Sequence, residues 1–427
     1  MDQTSRNRSL AGGVPSSASP ATALLVRVLR RFIRNGELTI VDHKGRSHVI
    51  GAKVPGWPEA RLRFLDRRVP AAMLRDPVLG LGEAYMAGRA VIEHGDVLDV
   101  ATIIRGNSPW EEGGGFPRSR RIRARLDRIN WPARARRNVA HHYDLADGLF
   151  PLFLGDELEY SCAYFRNPDA TLDQAQADKR AHIAAKLLLR PGQRVLDIGC
   201  GWGGLALYLH RVAGVDVLGV TLSERQVEIA RRRAAAAGVA DRVRFELRDY
   251  REIQGRFDRI VSIGMFEHVG PLHYRTFFDA CRRLLAPDGV MLLHTIGRLG
   301  TPVLTDAWLR KYIFPGGHTP ALSQIVRASE TARLIAADVE TLRLHYAHTL
   351  HHWYLNAWAH REEIEGLYDA RFFRMWLYYL AGALISFRFG GLCNYQIQFV
   401  RERSALPLVR DYRHEAEARL RGESTPG

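Results

Sequence analysis

From about residue 175 the chain alternates short apolar runs with longer stretches of helical spacing. "RVLDIGC", "VDVLGVTLS", "RVRFELRD", "FDRIVSIG" and "GVMLLHTIG" are five such runs. Apolar strands separated by helical stretches are the sequence form of an open, mostly parallel α/β sheet. "TLRLHYAHTL" and "CNYQIQFVRE" alternate like half-exposed strands and are expected to close one edge. Between them lies a long helical segment, "HHWYLNAWAHREEIEGLYDARFFRMWLYYLAGALISFRFGG", and ahead of it an insertion, residues 297–339. Neither belongs to a minimal sheet. Both are expected to cover the sheet's carboxyl edge, where ligands bind in such folds.

The earlier part reads differently. "GELTIVDHKGRSHVIGA" predicts two short strands around a turn, followed by mostly helical patterns such as "VLGLGEAYMAGRAV" and "HGDVLDVATII". "GNSPWEEGGGFPRSRR" then breaks all periodicity and marks a linker. The expected organisation is a disordered N-terminus (1–22), a small α+β domain (23–110), an arginine-rich linker (111–137), the main α/β domain (138–403) and a tail (404–427).

Charge sharpens this picture. With 61 basic and 46 acidic residues the chain carries +15, and nine arginines fall within the 21 residues Arg118 to Asn138. Such a segment suits nucleic acid or an anionic membrane surface, or is simply a solvated linker. No nucleic-acid-binding signature accompanies it, so the lipid surface is preferred. The apolar run Met375 to Phe387 is only 13 residues long, against about 20 needed to span a bilayer. Cys162, Cys200, Cys281 and Cys393 are too scattered for a disulfide framework and offer no C-x-x-C pair, so no metal site is expected. Reduced thiols in a cytoplasm fit best.

The strongest motif is "RVLDIGCGWGGLALYLH". A buried strand reaches Asp197, and Gly199, Gly201, Gly203 and Gly204 turn the chain into a helix. Glycines serve where φ is positive or where backbone must touch a ligand. The next strand ends in Thr221, where a dinucleotide site usually carries an acid. Here the acid precedes the glycines, which is how S-adenosylmethionine sites read. Asp249, followed by Tyr250, ends the third strand and is placed to meet adenine, or is a surface turn. Ser223 and Gln226 form an S-x-x-Q capping box for the next helix, and a cofactor role can coexist with it.

A second constellation follows the fourth and fifth strands, in "SIGMFEHVG" and "LLHTIG". Glu267, His268 and His294 should converge near the cofactor. A glutamate amid apolar residues is rarely buried without a partner. His294 alone would more often be a satisfied core histidine, but beside Glu267 it is a site candidate.

With "NVAHHYDLADGLFPLFLGDELEYSCAYF", "VLDIGCGWGG", "GVTLSERQ", "GMFEHVG", "LLHTIG" and "YIFPGGHTP" in order, the sequence resembles the cyclopropane-fatty-acyl-phospholipid synthases and their mycolic acid relatives. The match is close over about 138–402 and fainter before. The resemblance implies a class I methyltransferase (Rossmann-like) fold with a seven-stranded sheet and helical cover, plus the small N-terminal α+β domain. It implies transfer of a methyl(ene) group from S-adenosylmethionine to the cis double bond of an unsaturated acyl chain of a membrane phospholipid. It implies further that a bound bicarbonate deprotonates the resulting carbocation. Carried over by motif, the bicarbonate contacts are Glu267, His294, Tyr346, Cys162 and the backbone of Ile296. The cofactor contacts are Tyr160, Ser161, Gly199, Gly201, Trp202, Gly203, Thr221, Gln226, Asp249, Tyr250 and His268. The expected setting is cytoplasmic and peripheral to the inner face of the membrane, with anionic phospholipid and an acyl chain as partners. A homodimer is compatible with this reading, and no nucleic acid is expected.

One departure stands out. The family often has a cysteine in the late helix where "YYLAGALISF" places Ala383. That admits a methyl- or methylene-branched product, another small-molecule acceptor, or a decayed fold that only binds lipid surfaces. "EYSCAYF" sets Cys162 beside the cofactor contacts, with no base or metal partner at useful spacing. Its position is expected to matter more than its thiol.

Overall fold

The computed structural model describes residues 19–113, 148–155, 157–303 and 305–422. The arginine-rich stretch Arg118 to Asn138 and most of the expected disordered N-terminus lie outside the described residues. The expectation of disorder to residue 22 is corrected at its end. Helix α1 (Pro20–Arg30) starts inside it, with Pro20 in its first turn and Ser19 Oγ accepting from the Thr22 N–H at 3.2 Å.

The chain divides into two units at Asp96/Val97 rather than at residue 110. In the first, β1 (Gly36–Val41), β2 (Ser47–Ala52), β3 (Glu59–Phe64) and β4 (Ala90–His94) form a sheet in the order β2-β1-β3-β4. Helices α2 (Val69–Arg75) and α3 (Pro77–Met86) join β3 to β4. Only β1 and β2 were expected as strands. In β3, Ala60, Leu62 and Phe64 are buried between charged neighbours, a two-residue period the mostly helical expectation passed over.

The second unit opens with α4 (Val97–Gly106), whose Val97, Val100 and Ile103 are buried. It then runs through α5 (Pro151–Leu154), α6 (Leu172–Leu187), β5 (Arg194–Ile198), α7 (Gly204–Ala213), β6 (Asp216–Thr221), α8 (Glu224–Ala236), β7 (Val243–Leu247) and β8 (Phe257–Ile263). After these come α9 (Tyr274–Leu284), β9 (Leu285–Arg298), α10 (Ala307–Tyr312), α11 (Leu322–Thr331) and β10 (Ile335–Leu342). The last elements are α12 (His345–Ala359), α13 (Arg361–Leu367), α14 (Ala370–Arg388), β11 (Leu392–Val400) and α15 (Asp411–Arg421).

The seven-stranded sheet has the order β10-β11-β9-β8-β5-β6-β7, with β11 antiparallel to both of its neighbours and the other pairs parallel. Strand order reverses between β5 and β8, and the crevice at such a switch point is where ligands bind in open α/β sheets. All five apolar runs are strands. Packing on the sheet is apolar on both faces. Phe277, Phe278 and Cys281 of α9 meet Leu293 and Phe399, while Ile183, Leu187 and Ala230 pack with Val195, Val217 and Phe245.

Three sequence expectations change here. "TLRLHYAHTL" is not one strand: β10 ends at Leu342, and Tyr346 lies in the first turn of α12. Tyr346, Leu350, Trp353 and Ala357 are buried at helical spacing, and this period outweighs the short alternation before it. Strand β11 alternates in sequence, yet its eight residues from Cys393 to Val400 are all buried. Its polar positions are covered by α6 and α15, as the Gln398 amide bonds to the Lys186 carbonyl at 2.7 Å and the Tyr412 hydroxyl at 3.0 Å show. Third, the tail contains α15, held to α6 by Arg421–Asp178 at 2.8 Å and His182–Glu417 at 2.6 Å.

Candidate active site

At the carboxyl ends of β5, β6 and β8 lies a cleft of about 1340 Å³, its open mouth included. The glycine turn makes its floor. Gly199 has φ +84°, and a Cβ there would stand 2.8 Å from Met265 Cβ. Gly203 has φ +83°, with Phe245 Cζ 2.7 Å from its missing Cβ. Only glycine gives both the left-handed turn and this approach of loop to neighbouring side chains.

Of the expected cofactor contacts, Tyr160, Ser161, Gly199, Gly201, Trp202, Thr221, Gln226, Asp249, Tyr250 and His268 line the cleft. Gly203 lies behind it and shapes the turn from below. The capping box forms by half: the Gln226 N–H donates to Ser223 Oγ at 3.2 Å, while the Gln226 side chain instead accepts from Thr221 Oγ1 at 2.8 Å. Asp249 caps the short turn after β7 and is bound by Arg251 through both carboxylate oxygens, at 2.8 and 2.6 Å. Burial pushes His268 down to about 4, so its ring is neutral at physiological pH.

Asp197 also lines the cleft. It is 1% exposed, its Oδ2 has no hydrogen-bond partner, and burial raises its carboxyl to about 7. An orphaned carboxylate oxygen above a glycine floor fits the ammonium of an aminoacyl group, so the residues present suit S-adenosylmethionine. The "acid before the glycines" was a visible signal for Asp197.

The Tyr160 to Cys162 stretch forms another wall. The Tyr160 and Tyr379 hydroxyls are 2.8 Å apart, and the Tyr160 ring stacks on Trp353. Lys179 Nζ donates to Ser161 Oγ at 2.9 Å and pairs with Glu159 at 3.0 Å. Sequence reading missed Lys179, although Gln176, Lys179 and Lys186 repeat at helical spacing on the buried face of α6. Cys162 is fully buried, its Sγ–H donates to the Ala163 carbonyl at 3.3 Å, and burial raises the thiol far above its usual range. This is an inert thiol.

Beyond the cleft, the Ile296 N–H donates to Glu267 Oε1 at 2.5 Å, while Glu267 Oε2 is buried without a partner. Burial pushes this carboxyl up to about 7 despite the backbone donor. The "FPGGHTP" loop lies against the same place: the His318 N–H donates to the Glu267 carbonyl at 3.0 Å, and Phe314 packs against His268 and Tyr379. The Ala163 N–H donates to Thr349 Oγ1 at 3.0 Å, tying the Cys162 stretch to α12 one turn beyond Tyr346. The Tyr346 ring packs on Trp353 and Phe387. His294 is oriented differently from expectation. Its Nε2 lies 2.9 Å from Asn394 Nδ2 and its Nδ1 lies 3.1 Å from Gln396 Nε2, so both ring nitrogens are engaged by β11. Nothing in the sequence alone pairs His294 with those two amides. Only the antiparallel register does, setting Gln396 opposite His294 and Asn394 opposite Ile296.

Among the described residues no cluster of histidine, cysteine or acidic side chains could hold a metal ion, and no helix is long and apolar enough to cross a membrane.

The chain is 39% identical over 352 residues to the cyclopropane-fatty-acyl-phospholipid synthase of Escherichia coli, covering 82% of this chain and 90% of that protein. It is 34% identical to a tuberculostearic acid methyltransferase of Mycobacterium tuberculosis, covering 90% and 92%. A crystal structure of a mycolic acid cyclopropane synthase complexed with SAH and CTAB aligns with a TM-score of 0.59 at 36% identity, covering 62% of this chain and 97% of that one. The family described as mycolic acid cyclopropane synthetase matches residues 131–397. With a class I fold, an S-adenosylmethionine cleft and these relatives, the chain belongs to the mycolic acid cyclopropane synthetase family of S-adenosylmethionine-dependent methyltransferases.

Proposed function

We propose that this enzyme forms cyclopropane rings on unsaturated acyl chains of phospholipids. The observation that carries the reading is the pairing at the sheet's carboxyl edge. A glycine-floored cleft with Asp197 stands at β5, and Glu267, with one buried unpartnered oxygen, stands just past β8. S-adenosylmethionine, when bound, supplies an electrophilic methyl group.

An alkene attacks such a methyl without prior deprotonation, so the protein's own task is the proton lost on ring closure. Glu267, held near neutrality, is suited to handling it. A bicarbonate ion held by Glu267, Tyr346 and the Cys162 stretch would supply the base. In the ligand-free chain the Ile296 N–H and the His294 ring are paired within the protein. Phe314, Tyr379 and Trp376 offer an apolar wall for the acyl chain.

We further place the enzyme at an anionic membrane surface on the cytoplasmic side. In support, α1 and its C-cap Arg31 expose Leu24, Arg27, Val28 and Arg31 along one face, and each basic residue near such a surface contributes about 1 kcal/mol. Co-sedimentation with phosphatidylglycerol vesicles but not with phosphatidylcholine vesicles tests this.

Expression in cells that lack cyclopropane lipids should add one CH₂ per modified chain, with ring protons shifted upfield in NMR. A second product is favoured by two observations: Ala383 stands in the late helix, and a relative covering 90% of this chain is a tuberculostearic acid methyltransferase. The same mass gain without ring protons would establish a methylene-branched product, and unaltered lipids would refute both readings.

A further inference from the structure

His294 sits at the end of a buried polar chain that no part of the reaction itself requires. Gln396 reaches its Nδ1 at 3.1 Å, and Gln396 Oε1 accepts from Lys186 Nζ at 2.8 Å. Lys186 in turn pairs with Glu340, Glu340 with His182 at 2.7 Å, and His182 with Glu417 of α15 at 2.6 Å. Lys186, Gln396, Asn394 and His294 are each at most 1% exposed.

Donor and acceptor counting decides where the imidazole proton lies. Burial first, and then Lys179 and Lys186, push His294 well below its usual range, so the ring is neutral. A neutral ring has one donor and one acceptor nitrogen. Two amide NH₂ groups therefore cannot both donate to it, and one of the two amides must present its oxygen. Lys186, charged against Glu340, can only donate, which fixes Gln396 Oε1 toward the ammonium and the Gln396 NH₂ toward Nδ1. Asn394 has no such constraint. Its Oδ1 is buried without a partner, and turning the amide lets that oxygen accept from Nε2–H.

We propose that Lys186 and Gln396 are positioning residues that hold His294 as the tautomer with its proton on Nε2, Asn394 accepting that proton's hydrogen bond until a ligand replaces it. His294 thus acts as a donor, set from about a hundred residues away in sequence on either side by α6 and β11. The link to catalysis rests on the reading of His294 as a site residue. The tautomer itself does not.

The test is ¹⁵N NMR of the full-length, ligand-free protein labelled at histidine, with the His294 ring signals assigned by their loss in His294→Asn. Wild type should show a bare Nδ1 and a protonated Nε2. Gln396→Glu, nearly isosteric, should move a proton onto Nδ1, and Lys186→Met should leave a mixture. Turnover should fall at least about tenfold in Gln396→Glu, as for other residues that orient a site histidine, with S-adenosylmethionine affinity unchanged. A protonated Nδ1 in wild type, or one tautomer in all three proteins, overturns the proposal. Because these spectra need no substrate, a wild-type protein with Nε2–H but no cyclopropane product would refute the functional reading alone.

Discussion

The Ile296 N–H and Glu267 Oε1 meet at 2.5 Å, joining the turn after β8 to the last residues of β9. This contact uses one carboxylate oxygen for position and leaves the other buried and free. A carboxyl so placed can be fixed in space and still exchange a proton.

Glu267→Gln keeps the size and the acceptor for Ile296 but cannot take up a proton. Turnover should drop by about 10²- to 10⁴-fold, while calorimetry finds S-adenosylmethionine bound nearly as in wild type. Retained turnover would remove Glu267 from the chemistry.

The same residue predicts a stability profile. Its folded carboxyl titrates near 7 against an ordinary 4.5. Between those values the folded chain keeps a proton that the unfolded chain has lost. The stability associated with Glu267 is therefore fully present below about pH 4.5 and lost as pH rises to 7. Thermal melts should show Glu267→Gln above wild type at pH 8 and level with it at pH 4.

Asp197 predicts proton release on cofactor binding. Its carboxyl also titrates near 7 in the ligand-free chain, and an ammonium beside Oδ2 favours the ionised form. Affinity for S-adenosylmethionine should weaken as pH falls below about 7, and calorimetry in buffers of different ionisation heat should detect released protons. Both effects should vanish in Asp197→Asn, with weaker binding throughout.

Gly203→Ala places a methyl group 2.7 Å from Phe245 and 3.0 Å from Ala230 at φ +83°. A strained left-handed residue costs about 1–3 kcal/mol, before the clash is relieved. Denaturant titration should show that loss, together with weakened cofactor binding, since the turn that Gly203 shapes is the cleft floor.

Cys162→Ala should keep most activity and lose about 1 kcal/mol of stability, as a small cavity replaces a buried sulfur. Abolished turnover in a folded Cys162→Ala protein would show that the thiol takes part.

The cleft was legible because its chemistry is local. Gly199, Gly201 and Gly203 follow one strand, and Thr221, Gln226 and Asp249 each sit at or beside an element's end, where a side chain must face the ligand edge. The strand pattern was equally plain for β5, β8 and β9, whose apolar runs are buried on both faces, and for the edge strand β7, which alternates. What was not legible depends on partners distant in the chain. Tyr346 was placed on a strand because Thr341 and Leu342, which open the same alternating run, belong to one. The amides of β11 suggested solvent because polar alternation usually does, and only α6 and α15 turn that face inward. His294 could be read as a site residue but not oriented, since its neighbours lie about a hundred residues later.

That separation along the chain also orders events in time. Residues lining the cofactor cleft run from Glu157 to His273, so its walls have all been synthesised well before the last strand. The partners of His294 come from Asn394 and Gln396, and the latch on Lys186 and His182 ends at Glu417. A chain emerging N-terminus first therefore gains its cofactor cleft early and the partners of His294 only once β11 has followed. An incomplete chain would leave Lys186 and His294 uncovered beside an open sheet edge. Maturation of the surroundings of His294 is thus tied to the synthesis and docking of β11 and α15.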